Sequence, residues 1–404
     1  MDRPTPTLPA QLPQPLPAPA TAAQLDALAS DLLASGLQPL RSSGELEDLS
    51  ADAFVYSPVL QPLLQGLRAQ LGVRPDHSAQ IPAIAAACVR HGVSLTLRGA
   101  GTGNYGQCVP LAGGLVLDST GLNRLLEVNA HSGVFRAEPG ILLGDLEEQL
   151  QTHGREPRLL PSTVRSATLG GFLAGGSGGI GSLRWGFLRD PGHLLGLSVV
   201  TVEASPRQLE LAADAAQPLN HAYGCNGILT AITMASAAAV PWQQLPPESL
   251  RRAVLRSWLA DLQGQLVWQA PQGQSRGIPL RELTWNHTTL HARARDPELT
   301  YLQLMLPQPE APALKALRAR WGNDLLWHLE GVRSFGAQRL ACLPLVRWRG
   351  RDALEALIAH ARELGCLLFN PHVFTVEDGG LGVIDADQVA AKAAYDPAGL
   401  LNPG

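Results

Sequence analysis

The chain has 404 residues, 45% of them hydrophobic, with 41 glycines and 32 prolines that together fill nearly a fifth of its positions. It has neither the period of collagen nor the apolar poverty of a disordered chain, and its length predicts a globular protein of two or three domains. The formal net charge of −4, from 31 Lys+Arg against 35 Asp+Glu, leaves no basic field to hold nucleic acid by counterion release. A nucleic-acid partner is therefore not expected.

Residues 1–22 open on seven prolines, Pro4, Pro6, Pro9, Pro13, Pro15, Pro17 and Pro19. These exclude the apolar helix of a secretory signal and predict a disordered lead-in. A helix is then predicted from Ala23 to Gly36, on the stripe Leu25, Leu28, Leu32 and Leu33. Ile81, Ile84, Ala85, Cys88 and Val89 keep helical spacing up to Gly92, and Ser94 to Arg98 reads as a strand. Between Gly114 and Pro139 the pattern changes to short apolar runs, Leu115–Leu117, Leu125–Val128 and Val134–Phe135, which predict sheet strands. Leu143, Leu146 and Leu150 mark one more helix before Gly154. The mixture reads as α+β over residues 23–238.

A Pro-rich joint at Trp242–Pro247 opens a second α+β domain over residues 239–366. Its strands are expected at residues 265–268, 300–306 and 340–346, and its helices at 311–319 and 353–364. Residues 367–404 are expected to form a C-terminal segment that returns to the functional site. The cysteines, Cys88, Cys108, Cys225, Cys342 and Cys366, form no CxxC pair and fit a reducing cytoplasm. The longest nearly apolar run, Ile228 to Val240, is interrupted by Thr230, Thr233 and Ser236 and is too short for a bilayer of ~30 Å. No transmembrane segment is predicted.

Three glycine-bearing segments carry the chemistry. The first is Arg98-Gly99-Ala100-Gly101-Thr102-Gly103-Asn104-Tyr105-Gly106, which satisfies GxGxxG through Gly101, Gly103 and Gly106. A dinucleotide fold needs a helix to start at the third glycine, and Pro110 and Gly113-Gly114 forbid one here. Asp118, after the strand at Leu115, imitates the ribose-binding acid of that fold without its crossover helix. What remains is a loop whose successive N–H groups can form an anion nest, suited to a pyrophosphate, or a plain tight turn. The second segment, Thr168 to Gly181, has seven glycines in fourteen positions, which lets backbone lie directly against a ligand. Within it Gly175 to Gly179 matches GxSxG. That hydrolase elbow needs a strand before Ser177, and Gly170-Gly171 is poor strand material. The third segment, Gly224-Cys225-Asn226-Gly227 running into Ile228–Thr233, reads alone as a turn and a buried strand.

In order and spacing these segments resemble the vanillyl-alcohol oxidase / p-cresol methylhydroxylase (PCMH-type) family of FAD-binding oxidoreductases, which includes glycolate oxidase and D-lactate dehydrogenase flavoprotein subunits. The resemblance covers about Val73 to Thr233 and takes in Arg74-Pro75, Glu138-Pro139-Gly140, Pro161 and Arg184-Trp185-Gly186. Thr230 stands where a glycine is usual. The closing Asp396 to Gly404 is similar to the same family's C-terminal stretch.

The resemblance implies a PCMH-type FAD-binding domain of two α+β subdomains and an α+β cap, or substrate, domain, with FAD extended between the subdomains. The cofactor-binding residues it implies are Arg98, Gly99, Ala100, Gly101, Thr102, Gly103 and Asn104 at the pyrophosphate. At the second segment they are Pro161, Thr168, Gly170, Gly171, Ala174, Gly175, Gly178 and Gly179, toward the flavin. Gly227 and Ile232 complete the set, Ile232 meeting the ribityl or adenine part through its backbone. Thr102 stands where some members tether the flavin through histidine, and no cysteine lies between Cys108 and Cys225, so noncovalent FAD is expected.

A flavin accepts hydride itself and leaves the protein to orient the donor and manage a proton. His372, in the Pro- and Gly-bounded segment after Phe369, is the first candidate for that base, and His287 the second. Each could equally be a histidine with a structural role. His372 has no close second histidine, so no metal is expected. The expected activity is oxidation of a small alcohol or 2-hydroxy acid, with electrons passing to oxygen, quinone or a protein acceptor. The alternative is a noncatalytic flavin-binding subunit of a multi-component oxidoreductase.

Overall fold

The computed structural model describes residues 8–12, 15–176, 178–239, 260, 263, 265, 288–334, 336–373 and 385–403. Its first sheet is built by a right-sized βαβ unit. Strand β2 (Leu71–Val73) leads into the helix Ile81–His91, which returns to β3 (Leu95–Arg98). Between these parallel strands lies β4 (Leu115–Asp118), and β1 (Pro39–Leu40) pairs antiparallel at the edge, giving the order β1-β2-β4-β3. All four residues of β4 are buried, as expected of a central parallel strand covered on both faces. Ile81, Ile84, Ala85 and Cys88 of the helix share one core with Leu28 and Leu32 of the helix Ala22–Ala34. The apolar spacing of both helices is therefore spent on this sheet.

A second, antiparallel sheet has the order β5-β6-β10-β8-β9, from β5 (Leu125–Asn129), β6 (Val134–Ala137), β8 (Leu194–Val200), β9 (Gln208–Ala212) and β10 (Ile228–Ala238). The short β7 (Arg155–Pro157) pairs with the far end of β10. The helix Leu143–Gln151 buries Leu143, Leu146 and Leu150 on this sheet. Strand β10 joins the two cores: Ile228 packs in the first, whereas Ile232 and Met234 pack in the second.

The strands predicted at residues 300–306 and 340–346 are each divided. β11 (Leu299–Tyr301) and β16 (Leu345–Arg347) belong to a sheet ordered β11-β16-β13, with β13 (Leu325–Leu326) at its edge. β12 (Gln303–Met305) and β15 (Ala337–Cys342) belong to a sheet ordered β14-β15-β12-β17, completed by β14 (Leu329–Ser334) and β17 (Leu367–Phe369). Pro344 has no N–H to continue the ladder, and the chain changes sheet there, with Leu302 N–H donating to Pro344 O at 3.1 Å. The helices Glu310–Trp321 and Arg351–Glu363 cover these strands around Leu317, Leu354, Leu357 and Ile358.

Leu8 and Pro9 depart from the expected disorder. Part of the proline-rich lead-in is packed: Leu8 is buried in the second domain's core, and Arg351 donates to the carbonyls of Leu8 and Pro9 at 2.8 and 2.9 Å. Proline stiffness does not prevent packing once a guanidinium takes up carbonyls that have no helical partner. After the helix Ala386–Tyr395, the Asp396–Asn402 stretch adds an edge to the first sheet. Leu95 N–H donates to Leu400 O at 2.8 Å, and Asn402 N–H donates to Leu95 O at 2.6 Å. Buried Asp396 organises the turn, pairing with Lys392 at 2.6 Å and accepting from the N–H groups of Leu400 and Leu401. Among the described residues no helix is long and apolar enough to cross a membrane.

Candidate functional site: a glycine-walled cleft

A half-open cleft with about 130 Å³ of interior volume lies at the carboxyl ends of β3 and β4, the edge at which open parallel sheets take ligands. Arg98, Gly99, Ala100, Gly101, Thr102 and Gly103 form one wall. Thr168, Gly170, Gly171, Ala174 and Gly175 form the other, and Ile228 and Leu229 at the start of β10 close the side between them.

The first wall is shaped by its own arginine. The Arg98 guanidinium folds back, donating from Nη1 to Gly99 O at 3.2 Å and from Nη2 to Ala51 O at 3.2 Å. Gly101 then takes φ +67°, and a Cβ there would lie 2.7 Å from Arg98 Cζ. None of the N–H groups of Ala100, Gly101, Thr102 and Gly103 donates to a described residue, and Arg98 Nε is a buried donor without a partner. Free donors on a loop that turns through left-handed backbone at Gly101 are what an anionic pyrophosphate requires.

The second wall is fastened to the first. Thr168, 1% exposed, caps the helix Leu169–Gly175 by accepting from Gly171 N–H at 3.2 Å, and the place of a Gly99 Cβ is taken by its hydroxyl. Gly170 N–H donates to Pro139 O at 2.7 Å, an approach that leaves no room for a side chain. Pro139 is held in turn by its neighbour: buried Glu138 takes a two-point contact from Arg124, with Nη2 to Oε1 at 2.8 Å. The Glu138-Pro139-Gly140 motif is thus the bracket of the cleft's far wall.

The remaining expected cofactor residues stand elsewhere. Asn104 is buried beside the Tyr301 hydroxyl. Gly179 and its neighbour Ile180 pair with Leu160, next to Pro161, away from the lining residues, as does Gly178 against Phe187. Ile232 lies inside the second sheet, opposite Ala137 and Leu197, so its backbone is engaged by sheet partners. The strand meets the cleft at Ile228 and Leu229 instead, one residue beyond Gly227. Asp118 is not open to a ribose, being buried and bound by Arg74 Nε at 2.6 Å and by the Thr120 hydroxyl at 2.6 Å. A helix, not a strand, precedes the GxSxG segment, which removes the hydrolase elbow; Ser177 itself lies outside the described residues.

Sequence reasoning missed Gln107, Cys108, Ser119 and Tyr223, which also line the cleft. Ser119 could have been found, because it follows the last residue of β4; the others reach the cleft only through folding of the loops. Burial and the neighbouring Asp52 carboxylate push the Cys108 thiol well up, so it carries no thiolate. Asp52 accepts from the N–H groups of Phe54 at 2.8 Å and Gly106 at 3.0 Å, and burial pushes its carboxyl up to about 7.

His372 is not where a base would need to be. It is 0% exposed, its Nδ1 lies 2.8 Å from Ser57 Oγ, and its Nε2 lies 2.9 Å from Tyr301 O. Burial pushes the imidazole down to about 4. Both ring nitrogens are occupied in joining the second domain to the Ser57 turn, which corrects its assignment as the proton acceptor. His287 lies outside the described residues.

Residues 69–208 match the family described as FAD binding domain. The chain carries an FAD-binding domain of the PCMH type, and FAD is its cofactor. It is 30% identical over 199 residues to the glycolate oxidase subunit GlcD of Bacillus subtilis (strain 168), covering 48% of this chain and 42% of that protein. It is 30% identical over 131 residues to the D-lactate dehydrogenase of Archaeoglobus fulgidus, covering 32% and 29%. Against D-2-hydroxyglutarate dehydrogenase of Escherichia coli (strain K12) the identity is 34% over 151 residues, covering 35% and 14%. The chain thus spans less than half the length of these relatives. A solved alkyldihydroxyacetonephosphate synthase superposes with a TM-score of 0.69 at 14% identity, covering 99% of this chain and 87% of that one. The fold is therefore shared beyond residues 69–208.

Proposed function

We propose that this chain is an FAD-dependent oxidoreductase that oxidises a small alcohol or 2-hydroxy acid and passes the electrons to oxygen, quinone or a protein acceptor. The observation that carries the reading is the cleft itself: backbone donors without partners among the described residues, on a glycine-bearing loop fastened to a second glycine wall. Bound there, FAD supplies the hydride acceptor. Arg98 to Gly103 hold the pyrophosphate, Thr168 to Gly175 support the flavin side, and the second domain covers the donor. The names of the 2-hydroxy-acid relatives support this donor class.

The cofactor is held without a covalent bond, since Thr102 offers no nucleophile and the Cys108 thiol stays protonated. Acid precipitation should release all flavin into the supernatant; flavin left on the denatured chain would show a tether. One observation favours the second reading, a noncatalytic flavin-binding subunit: no described lining residue is a carboxylate or an imidazole. Anaerobic addition of 2-hydroxy acids, sugar acids and lactones separates the two. Bleaching of the flavin absorbance supports the oxidoreductase, whereas a flavin that stays oxidised with every donor supports the subunit.

A further inference from the structure

The turn between the short 3-10 helix Gln217–Leu219 and Gly224 closes over the second glycine wall and brings a tyrosine to the cleft. Two of its residues, His221 at φ 61° and Tyr223 at φ 52°, have left-handed backbone, which is strained for a residue with a Cβ. Such strain persists only where surroundings over-determine it. Here His221 N–H donates to Leu173 O and Tyr223 N–H to Ala174 O, both at 3.0 Å. From the C-terminal segment, Gln388 Nε2 donates to His221 O at 3.1 Å and Asn402 Nδ2 to Tyr223 O at 3.2 Å. Asn402 Nδ2 also reaches Gln107 O at 3.1 Å, tying the turn to the first loop.

The side chains are as constrained as the backbone. The imidazole of His221 fills the space over Gly176 that a Cβ would need. Its Nε2 lies 2.9 Å from the Tyr223 hydroxyl. The Tyr223 ring meets the His221 ring at 5.1 Å and the Tyr105 ring at 6.4 Å, both edge-on. Tyr105 reaches Gln303 of β12, so this is the end of the cleft that the second domain covers.

We propose that Tyr223 is a flavin-contacting side chain, the aromatic wall at the covered end of the cleft, and that His221 is its positioning residue. The proposal rests on the reading above that places the second glycine wall at the flavin. His221 works by holding the hydroxyl rather than by storing a proton, because burial and the Arg189 charge push its imidazole down to about 4 and leave it neutral. The strained turn then has a use: left-handed backbone at both residues aims one ring into the cleft and the other onto the glycine wall behind it.

The test uses the purified FAD-loaded protein and reads flavin emission per bound FAD together with the visible absorption bands, with no substrate added. A tyrosine against the isoalloxazine quenches its emission by electron donation from the excited complex, which phenylalanine does not do. Tyr223→Phe should therefore brighten bound flavin several-fold, while Tyr105→Phe leaves it dim. His221→Ala should give intermediate brightness, shifted absorption bands and FAD affinity lower by about tenfold. His221→Gln, whose amide can still meet the hydroxyl, should recover part of both. A Tyr223→Phe protein with wild-type emission and spectrum overturns the contact. A wild-type holoprotein whose flavin is already bright overturns it without any variant. Because no donor is present, failure of the donor assignment leaves these outcomes unchanged.

Discussion

The floor of the cleft, from Ala100 to Gly103, and the surroundings of His372 are both loop-built, the first partly exposed and the second buried, and they use opposite kinds of chemistry. In the floor, Ala100 to Gly103 keep their backbone donors free of described protein partners, and Gly101 follows a left-handed path on which a side chain would be strained and crowded by Arg98 and Ala51. Around His372 every ring nitrogen is taken, by Ser57 and Tyr301, and the imidazole is fully enclosed. A site must leave groups unsatisfied, whereas a joint between domains must satisfy them. The same residue type, histidine, takes a third position at His221, whose ring braces a cleft-lining tyrosine.

This contrast can be broken most forcefully at Gly101. Gly101→Val combines a positive φ with a Cβ 2.7 Å from Arg98 Cζ and 3.1 Å from Ala51 O. FAD affinity should fall at least about 100-fold, roughly 3 kcal/mol, read as flavin absorbance after gel filtration; retained affinity would mean that the loop is only a turn. His372→Ala should act on the other region alone. Loss of two buried contacts and of ring volume should cost about 2–4 kcal/mol in denaturant unfolding. Flavin reduction in the folded fraction should stay near wild type, and a large fall in that rate would restore His372 as a base.

The pH profile sharpens the comparison. His221 and His372 are held down to about 4 from an ordinary 6.5, so the unfolded chain takes up more protons between those values. The stability from burying them neutral is full above pH 6.5 and is lost as pH falls toward 4. Asp52, up at about 7 from 3.8, runs the other way: its contribution is full below pH 3.8 and is lost as pH rises through 7. With two histidines against one carboxyl, the unfolding midpoint should climb from pH 4 to 6.5, and His372→Gln, which leaves one histidine against that carboxyl, should bring the slope close to zero. A flat profile would contradict the buried neutral histidines. The smallest effect is expected at Thr168→Ala, where loss of the cap at Gly171 N–H should cost about 1 kcal/mol and loosen FAD by a few-fold, measured by titration; no change in either would mean that the wall holds without its cap.

The helices at Ile81 and Leu143, the strands β3 to β6 and both glycine walls were legible in the sequence, because apolar spacing and glycine report local backbone and burial directly. The Arg98–Gly103 path was legible for the same reason: its chemistry is carried by main-chain donors that no side chain hides. Strands 300–306 and 340–346 could be placed but not divided, since whether Leu302 and Pro344 continue a ladder depends on which sheet receives them. Ile232 was read as a cofactor contact four residues too late, because the start of β10 at the cleft is set by its pairing with β8.

What the sequence alone determined is therefore the glycine-built floor of the cleft, where short-range backbone geometry sets which donors face it. Only the tertiary structure decided which side chains are available. His372 is consumed by Ser57 and Tyr301, 315 and 71 positions away. Tyr223 is delivered to the cleft by Ala174 and Asn402. The availability of a ring nitrogen or a hydroxyl depends on partners brought in from distant sequence, and no local pattern encodes those partners.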